Sequence, residues 1–557
     1  MNFLKNKKVW LGIGILHFIL SFFYEGILFT DTAMDGVVMI HNTTGEILFC
    51  HILSKILGGV IIIFLWQLVP LVLNNWKEKK AYFIPFFIIT GLYMTVAVVT
   101  YPRVWEWNLD NYVDYSMAIR YMPDYWQYYF TNIVYSASLQ VFPHPLSLTF
   151  VECMGFSGAL GYLYGNMKES FPESKWRYLT WSIILFPTAA VVAIFPYRNS
   201  FYMIVCLWTL TFITFEYIKK ASLTLKKTII YLLLAVILSG WRSEGIIFII
   251  FIPIFMVLIY KKELTKKRCL IFLVSMLAIY YIFSLPQNMG MKKYFGKDYL
   301  IINLTNSTLC YMLNNENINL SYEGADQDLE NINNIISLDY IKQIPDIAYQ
   351  KYNEDQGRFL SQTLATPKDQ AAFVSSAYHI IFHNPVLFIR ERFYCFAKAL
   401  GISWPDTVST PTDEGIENPT SLNEFTKLYT FGKNEIQKTV FWTDVNSGFH
   451  GAVYQVYNLF TQYRDAILTP VMISCRLFVI CFLLFELIVS LIKRRWFWFT
   501  ICINLGFQIG IIFLMEPVAR EFYFYPMFYC GIMVFMVFTA SVQKTNKNIQ
   551  VADQNEK

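Results

Sequence analysis

What most constrains this chain is a set of apolar runs, each about 20 residues long, the length a helix needs to cross a bilayer. They fall near 9–29, 52–73, 82–100, 146–166, 178–195, 201–218, 228–240, 245–260, 269–286, 467–492, 496–514 and 522–541, about twelve in all. Backbone in hydrocarbon must satisfy its own hydrogen bonds, and runs of this length do so as helices. The expected fold is therefore an all-α polytopic membrane protein of about 12 transmembrane helices. Composition agrees: 55% of residues are hydrophobic, 18% aromatic and only 15% charged, with a mean hydropathy of +0.40, outside the range of soluble domains. The apolar run after Met1 to Lys8 resembles a signal peptide. At about 20 residues and without a small-residue cleavage site, it reads as an uncleaved span.

The net charge of +5 reports orientation and not nucleic-acid binding, because the basic residues sit in alternate connections between the runs. Those connections carry Lys5, Lys7 and Lys8; Lys77, Lys79 and Lys80; Lys168, Lys175 and Arg177; Lys219, Lys220, Lys226 and Lys227; Lys261 to Arg268; Lys493 to Arg495; and Lys544 and Lys547. The bias of lysine and arginine toward cytoplasmic loops places these connections and both termini in the cytoplasm of a multi-pass cell-membrane protein. The segments 101–145 and 287–466 then face outward. The chain divides into an N-terminal hairpin (1–80), a membrane core (81–286) with the outer loop 101–145, an extracytoplasmic, mostly helical domain (287–466), C-terminal spans (467–541) and a cytoplasmic tail (542–557). Within the outer loop, 126–141 reads as a helix lying along the membrane interface. In the outer domain, Thr366-Pro367-Lys368-Asp369 is a helix start and Asn384-Pro385 opens a second helix. Val386, Ile389, Phe393, Phe396 and Leu400 share one face of that second helix, and 303–334, rich in Asn, reads as irregular.

The outer loop YPRVWEWNLDNYVDYSMAIRYMPDYWQYYFTNIVYSASLQVFPHP carries the candidate chemistry. Asp110 opens an amphipathic segment just after a span, where an enzyme acting on lipid-carried substrates would keep a reactive carboxylate; the local sequence fits a solvated loop acid equally well. The short outer connections use arginine, at Arg103, Arg120, Arg198, Arg242 and Arg520, where the inner ones use mostly lysine. The planar guanidinium fork suits phosphate oxygens, so the set fits recognition of a lipid phosphate. Each arginine taken alone is equally explained by snorkelling or by a local acid, as Arg242 with Glu244. Asp31, Asp35, His41 and Glu46 read as a solvated acidic loop, and Lys55 as a snorkelling or lipid-touching residue. His379 and His383 share a helix face without a third ligand, so no metal is assigned. Most cysteines lie inside apolar runs without zinc spacing; a Cys310–Cys395 disulfide is one option. Phosphate-binding glycine loops and nucleophile elbows are absent, which argues against ATP as direct fuel.

These features together resemble the GT-C superfamily of membrane glycosyltransferases, the group including the protein O-mannosyltransferases of glycosyltransferase family 39 and the bacterial aminoarabinose transferase. The family pattern D-E-x-x-Y-x-x-x-A is matched by Asp110 and Ala118, with Asn111 in place of the second acid and Asp114 in place of the tyrosine. Pro196-Tyr197-Arg198-Asn199, Trp241-Arg242-Ser243-Glu244-Gly245, and Arg520 with Phe522 to Pro526 are similar to later outer elements of the family. The resemblance implies a sugar donor on a polyprenyl phosphate, a glycan, lipid-linked saccharide or protein acceptor, and inversion with Asp110 as general base. It implies a substrate-binding set of Arg242, Arg520, Arg198, Arg103, Tyr112, Asp114, Tyr115 and Glu244. No cofactor is called for; the missing second acid weakens the case for a divalent metal. Two rivals share the phosphate-binding need. One is a transporter or flippase of lipid-linked or anionic sugars, which should place charges near the midplane; the other is a glycan polymerase or ligase.

Overall fold

The computed structural model describes residues 4–26, 42–101, 110–343, 366–400, 433–436, 471, 474–515 and 521–555. Among them every regular element is helical. The chain forms two compact units, one of Met1–Tyr280, Asn423–Leu505 and Tyr525–Lys557, the other of Tyr281–Leu422 and Gly506–Phe524. Nine helices among the described residues are long and apolar enough to cross a membrane, or up to eleven if two sharply bent pairs each count as one span. Of the apolar runs, 178–195 is such a pair, bent by 76°. The run 228–240 lies in a helix of 17 residues, Leu225–Trp241.

In the first unit, α1 (Lys7–Leu20) packs on α2 (Thr44–Thr100), with Gly14 against Ile63 and Trp66. A straight helix of 57 residues would run about 85 Å. This one does not run straight. Gln140 donates to the Ser54 carbonyl at 3.1 Å, and the Tyr101 ring lies 5.2 Å from that of His144. Partners four residues apart thus hold two points of α2 that are 47 residues apart. The chain reverses where Lys79 leaves helical geometry (φ −109°, ψ 18°), and Trp76 folds onto Phe83 and Phe87 across the bend. The runs 52–73 and 82–100 are the two limbs. Glycines let the second limb approach α5 (Leu146–Ser170) closely, since a Cβ at Gly161 would stand 2.7 Å from the Tyr82 carbonyl.

Lysine connections gather at one end of this bundle. Asn74 donates to the Lys5 carbonyl, Lys79 and Lys219 both meet Glu169, Lys227 meets Glu216, and Lys544 reaches the Ser170 carbonyl. From Lys219 the helix α6 (Arg198–Ile218) runs 21 residues, about 30 Å, to Arg198 at the opposite end. There it meets α4 (Tyr129–Ser138) through Tyr135 and Phe201 and the end of α7 (Leu225–Trp241) through Tyr202 and Trp241, and α4 in turn packs on α3 (Asp110–Ala118).

Several local readings need correction. The aromatic stretch after Trp126 is a shorter helix, α4, enclosed by protein and not lying with one face in lipid; all but Phe130 of its residues are buried. Glu46 is not simply solvated: it closes a capping box with Thr43 at the start of α2 and accepts from the Tyr125 hydroxyl at 3.2 Å. Lys55 is buried, 2.7 Å from Glu25 and above the Phe22 ring. Asp31, Asp35 and His41 lie outside the described residues.

In the second unit, α8 (Ala325–Asn333) and the turns around Cys310 make the Asn-rich 303–334 largely helical. Two acids, Asp326 and Asp328, complement the amino end of α8, and Ile332 fixes its buried face. The Thr366–Asp369 capping box starts α9 (Pro367–His383), and Pro385 starts α10 (Pro385–Ala399), bent 100° from it. On the apolar face of α10, Leu400 at the helix end is buried and Phe396 meets Phe513 and Phe524, whereas Val386 and Phe393 stay exposed. Cys310 and Cys395 are both buried and neither is in a disulfide, so the pairing does not form. Burial pushes the Cys310 thiol up to about 12. His379 Nδ1 lies 2.6 Å from Asp328, and Tyr322 stacks on His383 at 3.8 Å. No group of three or more His, Cys, Asp or Glu among the described residues could hold a metal ion.

Candidate functional site

The end of the first unit opposite the lysines is built on α3. Its carboxyl end closes with Arg120, Tyr121 and Met122 donating back to Met117, Ala118 and Met117. This cap needs a left-handed residue, normally glycine, yet Tyr121 takes it at φ +56°. The N-terminal hairpin holds the tyrosine there: its hydroxyl donates to Glu25 at 3.1 Å and its ring stacks on His51 at 4.0 Å. Glu25 and His51 of the N-terminal helices thus brace the segment that follows α3. Beyond the cap, Asp124 accepts from the backbone of Trp126 and Gln127, turning the chain into α4.

Two later hairpins close on this frame. Tyr135 of α4 donates to the Pro196 carbonyl at 2.9 Å, and Arg198, half-buried, reaches the Trp126 carbonyl at 3.5 Å. Trp241 donates to Thr131 at 3.0 Å and packs edge-on against Phe130. Its neighbour Arg242 donates through Nε to Glu244, both side chains under a tenth exposed, and its guanidinium lies 5.7 Å from the centre of the Tyr202 ring. Only glycine fits at 245, because a Cβ there would stand 1.9 Å from the Leu238 carbonyl.

The structure therefore brings together Tyr112, Asp114 and Tyr115 on α3 with α4, Arg198, Arg242 and Glu244. All three α3 residues are about 1% exposed, so α3 is a buried helix rather than an amphipathic surface one. Burial pushes the Tyr115 phenol above its ordinary range, helped by the facing Tyr101 and by the Glu435 carboxylate. Burial also pushes Arg120 down to about 10, against the pull of the same Glu435. Asp110 is the first residue of α3, but its side chain, like Arg103 and Arg520, lies outside the described residues.

One residue that the sequence reading passed over belongs here. Glu152 is the only charged side chain between Leu146 and Met167 and is fully buried. Tyr135 lies against Asp114, Glu152, Tyr197 and Arg198 together, and burial among them holds its phenol well above the ordinary range. An acid inside an otherwise apolar span is itself a functional signal. Comparison of the chain with family models, with curated proteins and with solved structures finds no match.

Proposed function

We propose that the protein is a membrane glycosyltransferase, moving a sugar from a polyprenyl-phosphate carrier to a glycan, lipid-linked saccharide or protein hydroxyl on the outer face of a cell membrane. One observation carries this reading. At the end of the bundle away from the lysines, the helix begun by Asp110 shares a buried frame with two arginine hairpins, at 198 and 242. Displacement at an anomeric carbon needs a base for the acceptor proton and cations for the departing phosphate. Asp110 takes the proton of the acceptor hydroxyl, a role worth about 10²–10⁴-fold. The acceptor oxygen bonds to the anomeric carbon from the far side as the carbon–oxygen bond to phosphate breaks, the electron pair leaving with the phosphate. Arg242, oriented by Glu244, stabilises the charge that grows there. Arg198 adds a second guanidinium at this frame, Tyr112, Asp114 and Tyr115 position it, and the sequence pattern alone assigns phosphate binding to Arg103 and Arg520.

The test is transfer in liposomes containing the purified protein, a polyprenyl phosphate carrying a labelled sugar, and candidate acceptors. Label should move to acceptor with inverted anomeric configuration; movement of intact donor between leaflets without transfer would favour a flippase. Both termini and the lysine end are cytoplasmic in this proposal. A single cysteine at Asn334 should react with an impermeant reagent in intact cells, and one at Asn74 should not; the reverse would invert it.

A further inference from the structure

Glu152 stands in the second turn of α5, about 9 Å along the axis from its first residue, just beneath the frame formed by α4 and the Pro196–Arg198 hairpin. Neither carboxylate oxygen has a hydrogen-bond partner. Ser200 and the Tyr197 backbone stand beside it, but neither meets it in hydrogen-bond geometry. Its polar neighbours share the condition. The Ser200 hydroxyl and the hydroxyl of Thr149, three residues earlier on the same helix face, are buried without a protein partner, as are both amide atoms of Asn199, next to Ser200 in the chain. A buried acid without partners is costly, and folds keep such groups where they serve binding or chemistry.

We propose that Glu152 is a substrate-binding residue whose carboxylate, with Asn199 and Ser200, takes hydroxyl groups of the transferred sugar. This rests on the glycosyltransferase reading and deepens it. The chemistry selects the ligand: a carboxyl group accepts at both oxygens, an amide both donates and accepts, and hydroxyls turn either way, which matches a neutral polyhydroxyl ring. The same group, as acid or as carboxylate, offers phosphate no countercharge. The site therefore divides the donor, with phosphate toward the arginine hairpins and sugar toward Glu152.

Thermal unfolding of the full-length protein in lipid nanodiscs tests this with two probes, farnesyl phosphate and farnesyl phosphates bearing a hexose or pentose. Wild type should gain more stability from at least one sugar-bearing lipid than from farnesyl phosphate. That sugar-dependent gain should shrink in Glu152→Gln, which keeps one acceptor oxygen, and vanish in Glu152→Leu. With the same donor, kcat/KM of the leucine variant should fall at least about tenfold, the scale of a lost charged hydrogen bond. Its ligand-free Tm should rise, because a buried unpartnered acid has been replaced by an apolar group of similar volume. An undiminished sugar gain in Glu152→Leu, or a fall in its ligand-free Tm, would overturn the proposal and leave Glu152 a structural residue. If farnesyl phosphate stabilises wild type and no sugar adds to it, this proposal alone falls. If no lipid shifts the Tm of wild type, the phosphate-lipid reading falls and takes this one with it.

Discussion

Both ends of the first unit hold ion pairs, but water reaches the Glu169 network at one end and hardly reaches the Arg242–Glu244 pair at the other. At the lysine end, Glu169 sits between Lys79 and Lys219, with side chains a third or more exposed. At the other end, Arg242 and Glu244 pair almost out of solvent, and Glu152 and Asn199 are enclosed without partners. Exposed pairs can be exchanged at little cost, so the lysine end needs only charge of the right sign to set orientation. The buried end holds charges that cost stability unless they are used. On the proposed function, the difference marks the reacting end.

The largest effect should come from the residue at the head of α3. Asp110→Asn keeps volume and most hydrogen bonds but cannot take a proton, so turnover should fall about 10²–10⁴-fold while the protein stays folded. Asp114→Asn should do distinctly less harm. Equal turnover of Asp110→Asn and wild type in a defined donor–acceptor assay would remove the chemistry from this end and leave the contrast one of solvent exposure alone.

Next in size is the buried pair. Arg242→Ala strands the Glu244 carboxylate and should cost about 3–5 kcal/mol of stability, the scale for breaking a buried pair from one side. Adding Glu244→Ala should restore a large part of that stability, because the stranded charge goes with it, yet should not restore transfer. Denaturant unfolding of the single and double variants decides this. A loss under about 1 kcal/mol for Arg242→Ala would place the pair in the same class as the exposed lysines.

A smaller change sharpens the phosphate assignment. Arg520→Lys keeps the charge and loses the planar fork, so donor use should weaken by the equivalent of about 1.5–3 kcal/mol, with alanine weakening it further. A neutral effect of lysine, with alanine lowering thermal stability instead, would mean that Arg520 only pairs with a neighbouring acid.

Much of this arrangement was legible in sequence because hydrophobic length and lysine alternation are local signals. They located the nine long apolar helices found among the described residues and grouped lysine connections at one end of the first unit, and the Thr366–Asp369 cap was readable from four residues. What escaped was set by contacts distant in sequence. Nothing near Glu46 announces that Tyr125 will donate to it, nor does anything near Lys55 announce Glu25. The enclosure of α4 depends on Trp241 and Pro196 arriving from other helices. Glu152 was visible as a lone acid in an apolar run, yet hydropathy averages it away, and only the fold shows that it lies beside the Pro196–Arg198 hairpin.

The smallest effect belongs to the lysine end and tests the contrast most directly. Lys79 and Lys219 approach Glu169 to 2.6 and 2.9 Å, as close as ion pairs come, so distance alone would rank this network with the buried pair. Exposure reverses that ranking. Water and salt can solvate both ammonium groups once the carboxylate is gone, and no charge is stranded in a low-dielectric interior. Glu169→Gln should therefore cost only about 0–1 kcal/mol and leave transfer unchanged. The cost should shrink further as ionic strength rises from about 0.1 M toward 1 M, where the screening length falls from roughly 10 Å to 3 Å. Unfolding of Glu169→Gln at both salt concentrations provides the measurement. A loss above about 3 kcal/mol that persists at high salt would show a pair as costly to break as a buried one, and exposure would no longer separate the two ends.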